Sequence, residues 1–481
     1  MRIAWLLLVV AACGDSHSIS TDASPVDAGP MADAPPFVGT WDKTLPELSG
    51  FTRGFTPVRG IVHLHSVYSH DACDNMPRDP STGVVNEPCL QDLRDGLCAD
   101  RIDFAALTDH DASMADEDFP TLFSMRDDDE AILGDDGSQI GSKIHCANGH
   151  TVMVSVGGEN DVMPVMLDRH PDAATIQARH DIYNGYDAAT MDELRAAGAL
   201  AWIAHTEQHP IEDLRALLPD GLEVYNLHAN LDPTIRETYL GLDPAGAVQA
   251  VANFVDTQPG HPEPDLALLS FLTPSGPAID RWNQVLADGR HVPATAGSDA
   301  HENAFPFILA DGERGDSYRR VLRWFSNWVL VADRTDPAQI KAALAGGRMF
   351  AVFEIMGTPF DFDVSAADDA NHTYELGDTA PVGSTITVHV PDATKFVDVL
   401  DGQPMPEVTG HIIYIGPQGA QEVATGPGPF LTAPMSAAGA YRVEVTMIPH
   451  HLKPFLGDLV TTIDTTEFPW IYASPIYATA P

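Results

Sequence analysis

Residues Arg59 to Asn75 read RGIVHLHSVYSHDACDN. A short apolar strand signal ends in His63 and His65, and Asp71 follows within a turn or two. One His-x-His pair at a strand exit is usually no more than the polar end of the strand. Its meaning depends on what the rest of the chain brings to it.

Five further strand-like runs end the same way. DFAAL leads to Thr108, Asp109 and His110; TVMVSV leads through Gly157 and Gly158 to Glu159. ALAWIA leads to His205, LEVY to Asn226, and VPATA through Gly297 to Asp299 and His301. Helix patterns lie between several of them. DAATMDELRAAG and PAIDRWNQVLADGR each close on a glycine, Gly198 and Gly289, just before a strand. Continuous apolar strands alternating with helices predict an α/β fold with a parallel sheet buried on both faces. In such folds the functional side chains gather where strands end, and in a barrel those ends form one mouth. Imidazoles and carboxylates delivered there are the ligand set of Zn, Mn or Fe.

The chain has 481 residues, room for one large domain and a smaller one. With 26 Lys+Arg against 69 Asp+Glu its net charge is −43, which excludes a nucleic-acid partner, because a phosphate backbone needs clustered cations. No repeat, GxGxxG or Walker loop is present. Arg2, the apolar run IAWLLLVVAA and Cys13 read as an export signal too short to span a membrane once mature. VAAC resembles a bacterial lipobox, so residues 1–13 are expected to be a lipoprotein signal and Cys13 a lipid anchor outside the cytoplasm, in periplasm or at the cell surface. Residues 14–40, rich in Asp, Ala, Ser and Pro, are expected to be a disordered linker. Cys73, Cys89, Cys98 and Cys146 remain, an even number that predicts two disulfides of unassigned pairing. From about residue 356 to 481 short alternating runs (STITVHV, KFVDVL, HIIYIG, AYRVEVTMI, FPWIYASPIYA) predict a smaller β-sandwich-like domain.

Taken in order, HLHSVYSHD, LTDHD, GGEN, IAHTE and GSDAH, with EVYN before the last, resemble the motifs of the PHP (polymerase and histidinol phosphatase) superfamily. The lipobox, GTPFDF and the FPWIYASPIY ending resemble its exported carbamate- and ester-hydrolase branch. The resemblance implies a distorted (β/α)7 TIM-like barrel over residues 41–355, with two or three divalent metals at its mouth. It implies that His63, His65, Glu159 and Asp299 hold one metal, with Glu159 bridging to a second. His110 with Asp71 or His301 would complete the others, and His205 would serve a further position. A ligand is also expected between Glu159 and His205, where His170 and His180 compete and His170 is preferred; Asp71 is preferred to its neighbour His70. Where the superfamily usually opens with an aspartate ahead of the histidine pair, this chain has Val62.

The implied activity is a metal-dependent hydrolase, a phosphoesterase acting on a small-molecule ester through a hydroxide generated at the metals. Asp299 would steer the proton and Asp109 would orient His110. The alternatives are a carbamate or carboxylester hydrolase on the same site, or a non-catalytic surface protein stabilised by metal. His145, His150, His209, His228, His450 and His451 carry no motif and are expected to be solvated or structural. Trp282, Trp324 and Trp328 are expected in the core, and the acidic run at 127–130 on an exposed face or at a helix start.

Overall fold

Residue 60 has to be glycine for the first strand to pack. In the computed structural model a Cβ there would lie 1.9 Å from the Phe104 ring of the neighbouring strand. The structure describes residues 41–480 apart from 49, 51, 246–250, 256–259, 394–404, 458–459 and 461. The expected signal, Cys13, the 14–40 linker and the KFVDVL run lie outside the described residues.

Each of the six apolar runs forms a strand: β1 (Thr56–Ile61), β2 (Phe104–Leu107), β3 (Thr151–Val156), β5 (Leu200–Ile203), β6 (Gly221–Asn226) and β7 (Ala294–Gly297). Between β3 and β5 lies β4 (Val162–Val165), and β8 (Ser326–Val331) and β9 (Met349–Val352) follow. β1, β2 and β3 are parallel neighbours, as are β5, β6 and β7. β4 runs antiparallel to β5. Two seams join these sets. Leu167 N–H donates to Val156 O at 2.7 Å beside β4, and beyond the ends of β7 and β1 Asp299 N–H donates to His63 O at 3.2 Å and His65 N–H to Ala300 O at 3.1 Å. The C-terminal ends of the six parallel strands therefore share one face.

The intervening helices start and stop as their sequences direct. Asp187 caps Ala188–Ala196 by accepting from Thr190 N–H at 2.9 Å, and Gly198 supplies a left-handed residue (φ 93°) after its end. Trp282, Trp324 and Trp328 are buried as expected. Four-residue β-strands with both faces covered explain the runs of fully apolar sequence.

Among the described residues the tail strands form two sheets. Asp363–Ala367, Thr373–Tyr374, Thr385–His389 and Phe430–Pro434 make one of four strands. Glu407–Gly416, Gly419–Gly426, Gly439–Ile448 and Phe468–Thr479 extend the large sheet instead. Phe468–Thr479 pairs antiparallel with β9, so hydrogen bonding runs without a break from the tail through β8 to β1.

Cys73 is bonded to Cys89 and Cys98 to Cys146. This pairing is compatible with an oxidising, extracytoplasmic setting. Among the described residues no helix is long and apolar enough to cross a membrane.

Candidate metal centre

Strand alternation sends residues i and i+2 to the same side, so the end of β1 delivers His63 and His65 together. Their Nε2 atoms face each other at 3.3 Å. Glu159, beyond β3, sets Oε1 3.4 Å from His63 Nε2 and Oε2 3.2 Å from His65 Nε2. Asp299, beyond β7, places Oδ1 3.3 Å and 3.1 Å from the same two nitrogens. His205, beyond β5, points Nε2 at Glu159 Oε1 (3.2 Å) and Asp299 Oδ2 (3.3 Å). A second group lies alongside. Asp71 Oδ2 is 3.1 Å from His301 Nε2 and 3.5 Å from His110 Nε2, and the His301 ring stacks on His65 at 3.7 Å. His63, His65, Glu159 and Asp299 thus form one candidate ligand group, His65, Asp71, His110 and His301 a second, and His228 lies close enough to Asp299 and His301 to make a third, looser one.

The tautomers decide what this arrangement holds. His63 Nδ1 donates to Glu223 Oε1 at 2.8 Å, His110 Nδ1 to Glu159 O at 2.9 Å and His301 Nδ1 to Asp299 O at 2.8 Å. Ser69 gives its hydroxyl proton to Asp71 Oδ1 at 2.6 Å and accepts from His65 Nδ1 at 3.2 Å. His205 Nδ1 faces Glu207 Oε1 at 3.3 Å. All five imidazoles have their Nδ1 proton committed outward, which aims five Nε2 lone pairs at carboxylate oxygens. Lone pair against lone pair is repulsive unless a cation lies between. Asp299 Oδ1 and His301 Nε2 are also buried without a hydrogen-bond partner. The donor set of imidazole nitrogens and carboxylate oxygens therefore fits divalent transition metals.

Electrostatics agree. Burial by itself would lower the pKa of His63, but Asp299, Glu223 and Glu159 overcome it and raise it well above the ordinary value. His205 is raised in the same way against its burial by Asp299, Glu159 and Glu207. Asp71 and Glu159 push His110 up to about 10, again against burial. Burial would raise Glu159 and Asp299, and the surrounding imidazoles hold both well below the carboxylate range. In the metal-free protein protons do the work of a cation, and metal binding would release them.

The backbone is shaped for this. His205 (φ 45°) and Asp299 (φ 51°) both hold left-handed conformations, each costing about 1–3 kcal/mol. A Cβ on Gly297 would fall 1.5 Å from Glu223 Oε1, so glycine in GSDAH leaves room for the carboxylate that anchors His63.

The structure brings together eight residues expected from sequence: His63, His65, Asp71, His110, Glu159, His205, Asp299 and His301. His70 lies at the surface, its ring 5.3 Å from that of His110. His170 does not join the groups. Its Nδ1 accepts from the Tyr183 hydroxyl at 2.9 Å, its Nε2 donates to Glu117 O at 3.0 Å, and burial lowers its pKa to about 4. His180 is likewise spent, on Asp111 at 2.6 Å and Asp116 at 2.9 Å. The expected role of Asp109 is corrected: it accepts from Ser66 N–H (2.6 Å) and Ser66 Oγ–H (2.7 Å), bracing the turn after His65, while Glu159 O orients His110. His228 is part exposed, within the expectation of a solvated residue, but it stands at the edge of the centre, its Nδ1 3.6 Å from Asp299 Oδ2. Sequence reasoning missed Glu223, although an acid inside the otherwise apolar, fully buried run LEVY was its signal, and Glu207 two residues beyond His205.

No family model matches the chain, and no curated protein matches it. Among solved structures it is similar to a two-domain protein containing a predicted PHP-like metal-dependent phosphoesterase from Bacteroides vulgatus. The identity is 12%, with 88% of this chain and 98% of that chain covered and a TM-score of 0.34. It is also similar to PsfC from Pseudomonas syringae, at 14% identity over 57% of this chain and 82% of that chain, with a TM-score of 0.26. At that level of likeness the site's chemistry rests on its own geometry.

Proposed function

We propose that the protein is a PHP-type metal-dependent hydrolase, exported and tethered through Cys13, that cleaves a small-molecule phosphoester. The observation that carries this is the convergence of five Nδ1-anchored imidazoles on Glu159, Asp299 and Asp71. The seven strands β1 to β7, joined by their two seams, are read as the distorted barrel, with this cluster at its mouth. The residues would hold two or three ions of Zn, Mn or Fe, one at each of the two four-residue groups and a further one where His205 meets Glu159. Such ions lower the pKa of water toward neutrality and neutralise charge developing on a phosphoryl or acyl centre.

The chain's own part is positional. Glu159 reaches three imidazoles at once, Oε1 toward His63 and His205 and Oε2 toward His65. Asn226 Nδ2 donates to Asp299 Oδ2 at 3.3 Å, holding the carboxylate that would take a proton from the attacking water. Among the described residues no lysine or arginine pairs with Asp71, Glu159 or Asp299. Bare, the site repels an anion; loaded, it attracts one.

Metal analysis of the purified protein beside a panel of phosphoesters, carboxylesters and carbamates tests the reading. Phosphoester turnover should vanish on chelation and return with Mn, Zn or Fe. Full turnover by metal-free protein would sink the metallohydrolase reading. Turnover confined to carbonyl esters would favour the carbamate and carboxylester alternative, and tightly held metal without any turnover the binding protein. Cys13→Ser should release the protein from membranes; unchanged membrane association would remove the lipid tether.

A further inference from the structure

Strand β6 supplies three groups to the centre. Glu223 anchors His63, Asn226 holds Asp299, and two residues later His228 stands at the rim. Asn226 also fixes where His228 points. Its side-chain oxygen accepts from Ala229 N–H at 2.9 Å, capping the short helix Leu227–Leu231, and its carbonyl accepts from Asn230 Nδ2 at 3.1 Å.

His228 differs from the five converging histidines in two ways. Its side chain is 41% exposed, against 23% or less for each of them. No hydrogen bond ties either ring nitrogen among the described residues, whereas each of the five has its Nδ1 anchored. The closest approach to a ligand oxygen, 3.6 Å to Asp299 Oδ2, is too long for a hydrogen bond and looser than the contacts inside the two groups. The ring nevertheless stands over the cluster, 6.0 Å from the His301 ring and 6.3 Å from that of His205, near-perpendicular to both. It is an imidazole with free polar atoms on the solvent side of the centre.

We infer that His228 is a substrate-contacting residue, donating a hydrogen bond to an oxygen of the phosphoryl group as it enters the centre. This rests on the phosphoesterase reading above. With no lysine or arginine pairing the carboxylates among the described residues, one imidazole N–H on the open side adds recognition without competing with the cations.

The test uses metal-loaded wild type, His228→Ala and His228→Gln, with inorganic phosphate as the probe. Metal content by elemental analysis, Tm, phosphate affinity by calorimetry, and KM and kcat on the best phosphoester are all read. His228→Ala should keep its metals and its Tm. It should bind phosphate roughly tenfold more weakly, with a matching rise in KM and a smaller change in kcat, as expected for one lost hydrogen bond. His228→Gln, which retains an N–H donor, should recover part of the affinity. Wild-type phosphate affinity in His228→Ala would overturn the inference, and so would loss of an ion, which would make His228 a ligand. Failure of the phosphoesterase reading looks different: wild type itself would neither bind phosphate nor cleave any phosphoester, and the inference would fall with it.

Discussion

At the scale of the residue, the site separates side chains that would hold a cation from those that hold the holders. Glu159→Ala removes a carboxylate shared by His63, His65 and His205, so it should cost more metal than any other single substitution and nearly all activity. Glu223→Gln leaves every ligand in place but offers an amide to His63 Nδ1, His205 N–H and Asn226 Nδ2, which together need an anionic acceptor. It should weaken metal affinity by roughly ten- to a hundredfold with the fold intact, as loss of a ligand's outer partner commonly does. Elemental analysis after equilibrium dialysis checks both, and a Glu159→Ala protein that retained its full metal content would contradict the assignment. The same residues set a pH dependence. His110 is raised from about 6.5 to about 10, so in metal-free protein its stabilising charge is fully present below the lower value and lost as pH rises through the upper. Glu159 and Asp299 are lowered, so their contribution is present above their ordinary values near 4 and lost on acidification. A metal ion replaces the protons. The Tm gap between metal-loaded and metal-free protein should therefore widen as pH rises from about 6.5 toward about 10. A gap that stayed constant over that range would show that the imidazoles are not the groups the metal displaces protons from.

At the scale of the element, what the sequence made legible was the set of short apolar strands with a titratable group at the exit. Six such runs, from GIVHL to VPATA, became strands, and eight site residues follow from their ends, because burial on both faces keeps most interior positions of a parallel strand apolar and leaves polar groups to its exit. The strand β4 was not legible: VMPV carries a proline and runs against its neighbours. Antiparallel pairing directs the chain leaving it away from the ligand-bearing ends. Nearness in sequence to GGEN thus favoured His170, and topology took it elsewhere. Glu223 was hidden for the opposite reason, lying inside a strand instead of at its exit. The disulfide pairing was equally beyond the sequence, and it has a use. Asp71 lies two residues before Cys73, and Cys73, Asp74 and Asn75 all take left-handed conformations (φ 57°, 57° and 59°). The turn is held by Cys73–Cys89 and by Cys73 N–H to His301 O (2.8 Å) and Asp74 N–H to Glu302 O (2.9 Å). By chain entropy the two bridges, with separations of 16 and 48 residues, contribute about 3 and about 4 kcal/mol. Replacing Cys73 and Cys89 together by serine should lower metal occupancy along with stability. Replacing Cys98 and Cys146 should lower stability by a similar amount and leave the metal in place. Equal metal retention in both double variants would mean that the first bridge does not position Asp71.

At the scale of the whole molecule, the change of character near residue 355 marks a change of composition, while the sheet continues through it. Twelve residues, Phe468–Thr479, form a strand buried along nearly its whole length. It pairs Phe350 with Ala473, Ala351 with Tyr472 and Val352 with Ile471. Phe353 N–H donates to Trp470 O at 2.9 Å, Trp470 Nε1 to Gly357 O at 3.0 Å, and Val292 N–H to the Tyr477 hydroxyl at 3.1 Å, just ahead of β7. Arg442 reaches from the next strand to Asn283 Oδ1 at 2.9 Å, with its guanidinium 5.2 Å from the Trp282 ring. One cluster of buried apolar side chains includes Ile61, Leu107 and Trp324 from the first part and Trp470, Ile471 and Tyr472 from the last. The strand that carries Asp299 and His301 at its end is thus braced by the last strand of the chain. A protein ending at residue 355 would expose the edge of β9 and the apolar surface that Trp470, Ile471 and Tyr472 now cover. It should be insoluble or lack bound metal, and the 41–481 protein should unfold in one transition by both calorimetry and loss of metal. Trp470→Ala, which deletes a fully buried ring, should cost about 3–5 kcal/mol and lower the temperature at which metal is released in step with Tm. A soluble 41–355 fragment that kept its metals and its Tm would overturn this, since the tail would then be a separate unit resting on a first part that needs nothing from it.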